Sequence, residues 1–125
     1  MTIKSYLFLE AGKVEKHPKL ACFDLDWTII KPKSGRKFPR DINDLELWNT
    51  NVIERLECLI KDQYTIVLFT NQKNKSVDYN IDRINNVYHL LSVPFLYLAS
   101  LKDDKYRKPS LGLWKLVTKY IKNIN

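Results

Sequence analysis

Residues 22–28 read Cys-Phe-Asp-Leu-Asp-Trp-Thr and place two carboxylates at the end of an apolar run. The run Leu20 to Phe23 is apolar on both faces, which is typical of a central strand in a sheet covered on both sides. Because residues two apart in a strand point the same way, we expect Asp24 and Asp26 on one side of the chain where it leaves the sheet. Such a pair can hold a divalent cation or divide the roles of nucleophile and acid or base. A solvated Asp-rich turn would contain the same residues, so the pair alone does not decide between the two.

Composition predicts one globular domain spanning residues 1–125, since 125 residues with 45% hydrophobic content suit a single core. No apolar run approaches the ~18 residues needed to span a bilayer, and the N-terminus lacks the layout of a signal peptide. We therefore expect an intracellular monomer without membrane association, in the nucleus or the cytoplasm. Cys22 and Cys58 show no zinc-site spacing and are expected to be reduced core thiols. The net charge of +7 favours a polyanionic partner such as nucleic acid, although an ordinary basic surface would give the same count.

Strand patterns alternate with helix patterns along the chain. Strands are predicted at residues 3–10, 20–24, 65–70 and 95–99, and helices at 51–63, 77–91 and about 109–121. Asn51 and Glu54 predict a capping box on the first helix, and Ser76 predicts an N-cap on the second. The predicted buried stripes are Ile81, Ile84, Tyr88 and Leu91 on the second helix, and Leu113, Trp114, Val117, Tyr120 and Ile121 on the third. This alternation indicates an α/β fold, a Rossmann-like parallel sheet with right-handed crossovers and flanking helices.

A basic flap is predicted over about residues 28–48. Pro32, Gly35 and Pro39 exclude a regular helix there. Residues 29–31 and 36–38 are predicted to pair as a small hairpin around residues 33–35. Such a flap beside two acids could hold a phosphate-bearing substrate, and a solvated surface loop is the alternative. Its cations are Lys31, Lys33, Arg36, Lys37 and Arg40.

Ligands of parallel α/β sheets bind outside the carboxyl ends of the strands, where three further side chains join the two acids. Thr70 and Asn71 follow one predicted strand, and Lys108 follows the next. Two acids, a hydroxyl and a cation at one sheet edge form the outline of a phosphoryl-transfer site. Taken one at a time, Thr70 could simply terminate its strand and Lys108 could be a surface residue.

Three motifs resemble those of the haloacid dehalogenase (HAD) superfamily: Phe-Asp-Leu-Asp-Trp-Thr at 23–28, Leu-Phe-Thr-Asn-Gln at 68–72 and Tyr-Arg-Lys-Pro at 106–109. Within it, the chain most resembles the phosphatase domain of the polynucleotide kinase 3′-phosphatases. The likeness includes Ser-Gly-x-x-Phe-Pro at 34–39, Trp48 and Val-Pro-Phe at 93–95, and it covers roughly residues 5–120.

The resemblance implies a HAD-type fold with a small flap and no large cap, and a Mg²⁺-dependent 3′-phosphatase of DNA or other polynucleotide ends in DNA repair. Asp24 would be the nucleophile and Asp26 the acid and base, and both would hold Mg²⁺, Asp26 through its main-chain carbonyl. Thr70 and the Asn71 amide would bind the phosphate, and Lys108 would balance the charge. The implied substrate-binding residues are Trp27, Thr28, Lys33, Arg36, Lys37, Asn71 and Arg107.

The chain departs from the superfamily pattern in two places. Trp27 stands where glycine is usual, and its indole could stack on a terminal base or sugar or pack under the flap. The fourth motif, which supplies another metal carboxylate, is absent, since no acidic residue follows Lys108. We therefore expect either the front part of a longer phosphatase, truncated at the C-terminus, or a minimal version that binds metal weakly. Asp103 and Asp104 could substitute only if their loop folded back.

Two other functions stay open. One is a catalytically impaired module that binds DNA ends, and the other is a HAD phosphatase for a small metabolite, which the open site favours less. The chain contains no G-x-x-x-x-G-K-[ST] motif, so we expect no kinase activity from it.

Overall fold

The structure, a computed structural model, describes residues 5–102 and 112–122. Helices and strands alternate from the first helix onward, as the sequence predicts. In chain order the elements are β1 (Tyr6–Ala11), β2 (Lys19–Asp24), β3 (Ile30–Lys31), β4 (Glu46–Leu47), α1 (Val52–Lys61), β5 (Tyr64–Asn71), α2 (Val77–Leu91), β6 (Phe95–Ser100) and α3 (Gly112–Lys122).

The main sheet has four strands in the order β1-β6-β5-β2. β2, β5 and β6 run parallel, while β1 pairs antiparallel with β6. The predicted α/β class with a mainly parallel sheet is confirmed. The antiparallel β1 differs from a purely parallel sheet, since no helix crosses over between β1 and β2.

Within the described residues, β2 lies at the sheet edge, so the expectation of a central strand is not met. Its inner residues are half-buried, whereas β5 and β6 are almost wholly buried. The run is nevertheless apolar on both faces because both faces of the sheet are covered. The apolar pattern of a strand indicates whether its two faces are covered, and it does not indicate how many neighbouring strands it has.

Alternate residues of the strands pack into two separate cores, one on each face of the sheet. Ile66 and Leu68 of β5 belong to the core under α1 and α2, whereas Val67 between them belongs to the core under α3. β6 follows the same rule, with Tyr97 on the first face and Leu98 on the second. The sheet is therefore the middle layer of three.

The buried face of α2 is rotated from the predicted one. Ile84 and Leu91 are buried as expected, but Ile81 and Tyr88 are 40% and 38% exposed, so their prediction is wrong. The structure buries Asn80, Arg83, Ile84, Val87 and Leu91 instead. Two polar residues therefore occupy positions that a hydrophobic pattern assigns to apolar ones.

On α3, Leu113 and Val117 are buried as predicted, whereas Trp114 is exposed and its predicted burial is wrong. The side chains of Tyr120 and Ile121 lie outside the described set.

The two helix starts behave differently. The Ser76 hydroxyl accepts a hydrogen bond from the Tyr79 amide at 3.0 Å, so the predicted N-cap of α2 is confirmed. Asn51 precedes α1 with φ −90° and ψ 4°, and its side chain makes no capping hydrogen bond. The predicted capping box is wrong because an N-cap side chain reaches back to the helix from an extended backbone.

The two cysteines also differ. Cys22 is half-buried on β2, and burial raises the pKa of its thiol to about 11. Cys58 is exposed on α1, so the expectation of a second core thiol is wrong. Both are free thiols, as expected.

The flap is held by a side chain rather than by the predicted hairpin. β3 pairs with β4, through Ile30 with Leu47 and Lys31 with Glu46, so the predicted pairing with residues 36–38 is wrong. The Asp44 carboxylate closes the intervening loop by accepting hydrogen bonds from the Ser34 amide at 2.8 Å, the Ser34 hydroxyl at 2.7 Å and the Arg40 amide at 2.8 Å.

The Ser76 cap can be tested against Asn51 at the other helix start. Ser76→Ala leaves the Tyr79 amide without its acceptor, and we expect the free energy of unfolding to fall by about 1 kcal/mol. Asn51→Ala removes no capping bond, so its expected effect is within about 0.5 kcal/mol. Urea unfolding followed by circular dichroism measures both, and equal losses would contradict the assigned caps.

The Asp44 carboxylate predicts a pH dependence. Hydrogen bonds from Arg40 and Ser34 lower its pKa from 3.8 to about 2. A carboxyl group whose pKa is lowered by folding stabilises the folded state above its unfolded pKa. This stabilisation is lost as the pH falls through the folded pKa.

We therefore expect Asp44→Ala to lower the melting temperature at pH 6, and the difference from wild type to shrink between about pH 4 and pH 2. The control is Asp41→Ala, which removes one local bond to the Asn43 amide and should have a smaller effect. A constant difference across this range would exclude the Asp44 carboxylate as its source.

Candidate active site

The two predicted acids lie at the carboxyl end of β2. Asp24 is the last residue of the strand, opposite Phe69 of β5, and its side chain is exposed. The Leu25 amide continues the pairing by donating to the Phe69 carbonyl at 2.9 Å, and the Leu25 side chain is fully buried. Asp26 follows with a half-buried side chain. The buried leucine thus anchors the chain between the two carboxylates.

A tight turn follows Asp26. The Ile29 and Ile30 amides both donate to the Leu25 carbonyl at 3.1 Å, and the Trp27 amide donates to the Ile30 carbonyl at 2.7 Å. Trp27 has φ +61°, in the left-handed region that favours glycine. The turn therefore imposes a backbone conformation that is costly for tryptophan.

The Trp27 indole packs against the flap while staying 45% exposed. Its Nε1 donates to the Lys37 carbonyl at 3.3 Å, and its ring meets Trp48 edge-on, with centroids 6.0 Å apart and planes at 76°. Of the two predicted alternatives, the structure shows the packing contact. The exposed area leaves base stacking a prediction.

Parallel pairing of β2 and β5 brings Thr70 to Asp26. The Thr70 hydroxyl donates to Asp26 Oδ2 at 2.7 Å and accepts from Gln72 Nε2 at 2.9 Å. Thr70 is fully buried, and Gln72 is nearly so. The structure thus gives Thr70 a partner in the acid Asp26, and its role in phosphate binding stays a prediction.

Arg83 of α2 completes this group and was missed by the sequence analysis. It is 5% exposed, and its Nη2 forms an ion pair with Asp26 Oδ1. Its Nη1 lies 3.5 Å from Thr70 Oγ1. The sequence contained a signal for the burial of Arg83. Residues 80, 84, 87 and 91 follow helical spacing, and position 83 lies on the same face of the helix.

Beneath Arg83, the Tyr97 hydroxyl donates to Asn80 Oδ1 at 2.7 Å. Burial raises the pKa of Tyr97, so this phenol stays protonated at physiological pH. The two residues join α2 to the central strand β6. A buried hydrogen bond between α2 and β6 thus lies next to the polar group around Asp26.

A cleft of about 470 Å³ opens from Asp26 between the flap and the loop that joins β5 to α2. Both walls carry cations, namely Lys37 on the flap side and Lys73 and Lys75 on the loop side, and the last two were not predicted. Phe38 on the flap rim is 71% exposed. The residues lining the cleft include the predicted Asp26, Trp27, Lys37 and Asn71.

The other predicted site residues lie elsewhere. Thr28 lines a second cavity of about 310 Å³ beside Trp48 and the start of α1. Lys33 and Arg36 are exposed on the flap and do not line the cleft. Lys108 and Arg107, with Asp103 and Asp104, fall outside the described residues.

No group of three or more His, Cys, Asp or Glu side chains in residues 5–102 and 112–122 could hold a metal ion. Asp24 and Asp26 supply hard oxygen donors, which fit Mg²⁺, an ion that often takes one or two protein carboxylates and completes its shell with water and phosphate oxygens. Across the same residues, no helix is long and apolar enough to cross a membrane.

Comparison with known proteins gives one family. The polynucleotide kinase 3 phosphatase family matches residues 19–125. A bifunctional polynucleotide phosphatase/kinase of Schizosaccharomyces pombe is 35% identical over 119 residues, which cover 91% of this chain and 28% of that protein.

An uncharacterised 20.8 kDa protein of Autographa californica nuclear polyhedrosis virus is 33% identical, covering 88% of this chain and 62% of that protein. The polynucleotide 3′-phosphatase ZDP of Arabidopsis thaliana is 29% identical, covering 94% of this chain and 19% of that protein. The chain thus spans less than two thirds of each of these relatives. Since the family match extends from β2 to the end of the chain and includes all three motifs, this chain belongs to the polynucleotide kinase 3 phosphatase family.

Proposed function

We propose that this chain is a polynucleotide 3′-phosphatase domain that removes the 3′-phosphate from DNA strand ends. The observation that carries the proposal is the arrangement around Asp26. Its carboxylate is held by Thr70 and Arg83 at the foot of a basic cleft, and the exposed carboxylate of Asp24 lies two residues away. The fission yeast and Arabidopsis relatives, named as a polynucleotide phosphatase/kinase and a polynucleotide 3′-phosphatase, support the same activity.

In the first step, a carboxylate oxygen of Asp24 attacks the phosphorus, and the bond from phosphorus to the 3′-oxygen breaks. Asp26, in its protonated form, gives its proton to that departing oxygen. The products are an aspartyl-phosphate at Asp24 and a strand with a free 3′-hydroxyl. Asp26 is left as a carboxylate.

In the second step, water attacks the phosphorus of the aspartyl-phosphate and gives one proton to the Asp26 carboxylate. The bond from phosphorus to Asp24 breaks, inorganic phosphate leaves, and both aspartates return to their starting states. One residue thus serves as acid and then as base, because the first step leaves it deprotonated.

Mg²⁺ belongs to this proposal. The Asp24 carboxylate and the Asp26 main-chain carbonyl would hold it, and its charge would screen the phosphate from the nucleophile. Thr70, the Asn71 amide and Lys108 are proposed to contact the phosphate oxygens.

The cleft is proposed to take the strand that leads away from the 3′-phosphate. Lys37, Lys73 and Lys75 face it and would pair with backbone phosphates, with Lys33 and Arg36 adding long-range attraction. Lysines suit backbone contact because a point charge does not read bases. Exposed aromatic surface on Trp27 and Phe38 would let bases stack without regard to sequence.

The product of this reaction, a free 3′-hydroxyl, is the group that strand extension and strand joining require. We therefore place the activity in DNA repair inside the cell. One chain supplies all the proposed residues, so a monomer suffices.

The nucleophile assignment predicts that Asp24→Asn abolishes phosphate release from a 3′-phosphorylated oligonucleotide. An amide cannot form the aspartyl-phosphate, so the loss should exceed the ~10²- to 10⁴-fold typical of a general acid or base. Release of inorganic phosphate with millimolar Mg²⁺ and with EDTA measures it. The matched control is Asp82→Asn, an exposed carboxylate on α2, which should keep wild-type activity.

The same assay separates the competing functions. Wild-type activity that survives Asp24→Asn would exclude the proposed mechanism. Salt-dependent oligonucleotide binding without any phosphate release would favour a DNA-end-binding module, a candidate supported by the absence of a third acidic ligand in the described residues. Equal rates on a small phosphomonoester and on the oligonucleotide would favour a metabolite phosphatase.

The aromatic side of the cleft predicts the effect of Trp27→Gly. Glycine relieves the backbone cost of about 1–2 kcal/mol at φ +61°, while the lost indole contact with Trp48 weakens packing by about 0.5–1.5 kcal/mol. We therefore expect little change in melting temperature. Loss of one stacking surface should weaken oligonucleotide binding by about 1–3 kcal/mol.

Fluorescence anisotropy with a labelled oligonucleotide measures this affinity. The control is Tyr64→Leu, which removes an aromatic ring at the opposite end of β5 and should leave affinity unchanged. An unaltered affinity of Trp27→Gly would limit the indole to its packing role.

A further inference from the structure

The most informative group that the sequence motifs leave unassigned is the buried guanidinium of Arg83. We propose that Arg83 is a positioning residue for Asp26, fixing the orientation of its carboxylate toward the leaving 3′-oxygen. This inference rests on the proposed function and adds to it a residue outside the three motifs. It predicts that Arg83 affects the chemical step and leaves substrate binding almost unchanged.

Burial makes the contact specific. Arg83 is 5% exposed, and a buried charge is destabilising unless an opposite charge and hydrogen bonds compensate it. Asp26 supplies that charge through Oδ1. Removal of Asp26 would leave the buried guanidinium without its compensating charge, so the ion pair holds the two side chains together.

The two oxygens of Asp26 are held by two different elements. Arg83 on α2 binds Oδ1, and Thr70 on β5 binds Oδ2 at 2.7 Å. Rotation of the carboxylate about its last torsion would break both contacts. Each oxygen keeps a second lone-pair direction, and the side chain is 37% exposed, so a substrate oxygen can still reach it.

The shape of the guanidinium matters as well as its charge. Nη2 contacts Asp26 while Nη1 lies 3.5 Å from Thr70 Oγ1, so one planar group touches both the acid and the hydroxyl that orients it. A lysine ammonium is a point charge without this fork. A lysine at position 83, which keeps only the charge, should therefore preserve only part of the wild-type kcat.

The experiment compares wild type, Arg83→Met, Arg83→Lys and the control Lys61→Met, an exposed cation at the end of α1. Two substrates are used with saturating Mg²⁺: a 3′-phosphorylated oligonucleotide and 4-nitrophenyl phosphate. The nitrophenolate ion leaves without a proton, so formation of the aspartyl-phosphate from this ester does not need Asp26 as an acid. A rapid-mixing burst of nitrophenolate reports that first step.

We expect Arg83→Met to lower kcat on the oligonucleotide by about 10- to 100-fold, by analogy with the loss that follows removal of an outer-shell partner of a metal ligand. KM should stay within about twofold, because Arg83, although it lines the cleft, is 5% exposed and pairs with Asp26. The nitrophenolate burst rate should stay within about threefold of wild type. Arg83→Lys should regain part of kcat, and Lys61→Met should match wild type.

Three results would overturn the inference. A raised KM with unchanged kcat would make Arg83 a substrate-binding residue, and an equal loss on both substrates would make its role structural. Unchanged kinetics of Arg83→Met would give it no role. The wild type distinguishes failure of the proposed function from failure of this inference. If the wild type releases no phosphate, both are wrong. If the wild type is active and Arg83→Met has unchanged kinetics, only this inference is wrong.

Arg83→Met could fail to fold, which thermal melting and circular dichroism would show. Arg83→Lys then decides, since it keeps the buried charge. Its expected result is a loss of about 3- to 10-fold in kcat on the oligonucleotide, part of the range for lost outer contacts, with an unchanged nitrophenolate burst. Equal changes on the two substrates would overturn the inference in that case too.

Discussion

The parallel pairing of β2 with β5 is the constraint on which the site depends. It sets Asp24 opposite Phe69, so the chain leaving β2 passes directly beside Thr70 at the end of β5. α2 then follows β5 and crosses back over the same face of the sheet, which delivers Arg83 to the same carboxylate. Two strand ends and one helix thus meet at Asp26, and a shift of one residue in the pairing would separate all three.

The sequence predicts the parts of this arrangement that follow from apolar periodicity and strand order. The α/β class, β5, α2 and the meeting of Asp26 with Thr70 are of that kind. Arg83 and Asn80 were missed because the predicted stripe used only apolar residues, and buried polar residues interrupt the apolar pattern from which a buried face is inferred. The flap was predicted, but its pairing was wrong for another reason: the Asp44 carboxylate binds backbone amides across the loop, and propensity does not show such side-chain contacts.

The base of the cleft and the flap beside it differ in how many buried contacts hold them in place. The base of the cleft is the inner sheet and α2, where the Tyr97 to Asn80 bond is buried and the ion pair of Arg83 with Asp26 is partly buried. The flap is exposed along residues 33–41 and is fixed chiefly through Asp44 and the Trp27 indole. The residues of the proposed chemistry therefore lie in the more buried part of the molecule, while the surface proposed to meet the strand is exposed, as is common for binding loops.

The unequal environments of the two thiols make the molecule selective toward alkylating reagents. The Cys22 thiol, with a pKa raised to about 11, is almost entirely protonated at neutral pH, and only the thiolate reacts readily. Cys58 is exposed on α1, and the last turn of α1 precedes the start of β5. That end of the strands is opposite the end that carries the two aspartates. A maleimide dye or spin label should therefore attach at one position without mutagenesis, giving a spectroscopic reporter remote from the cleft.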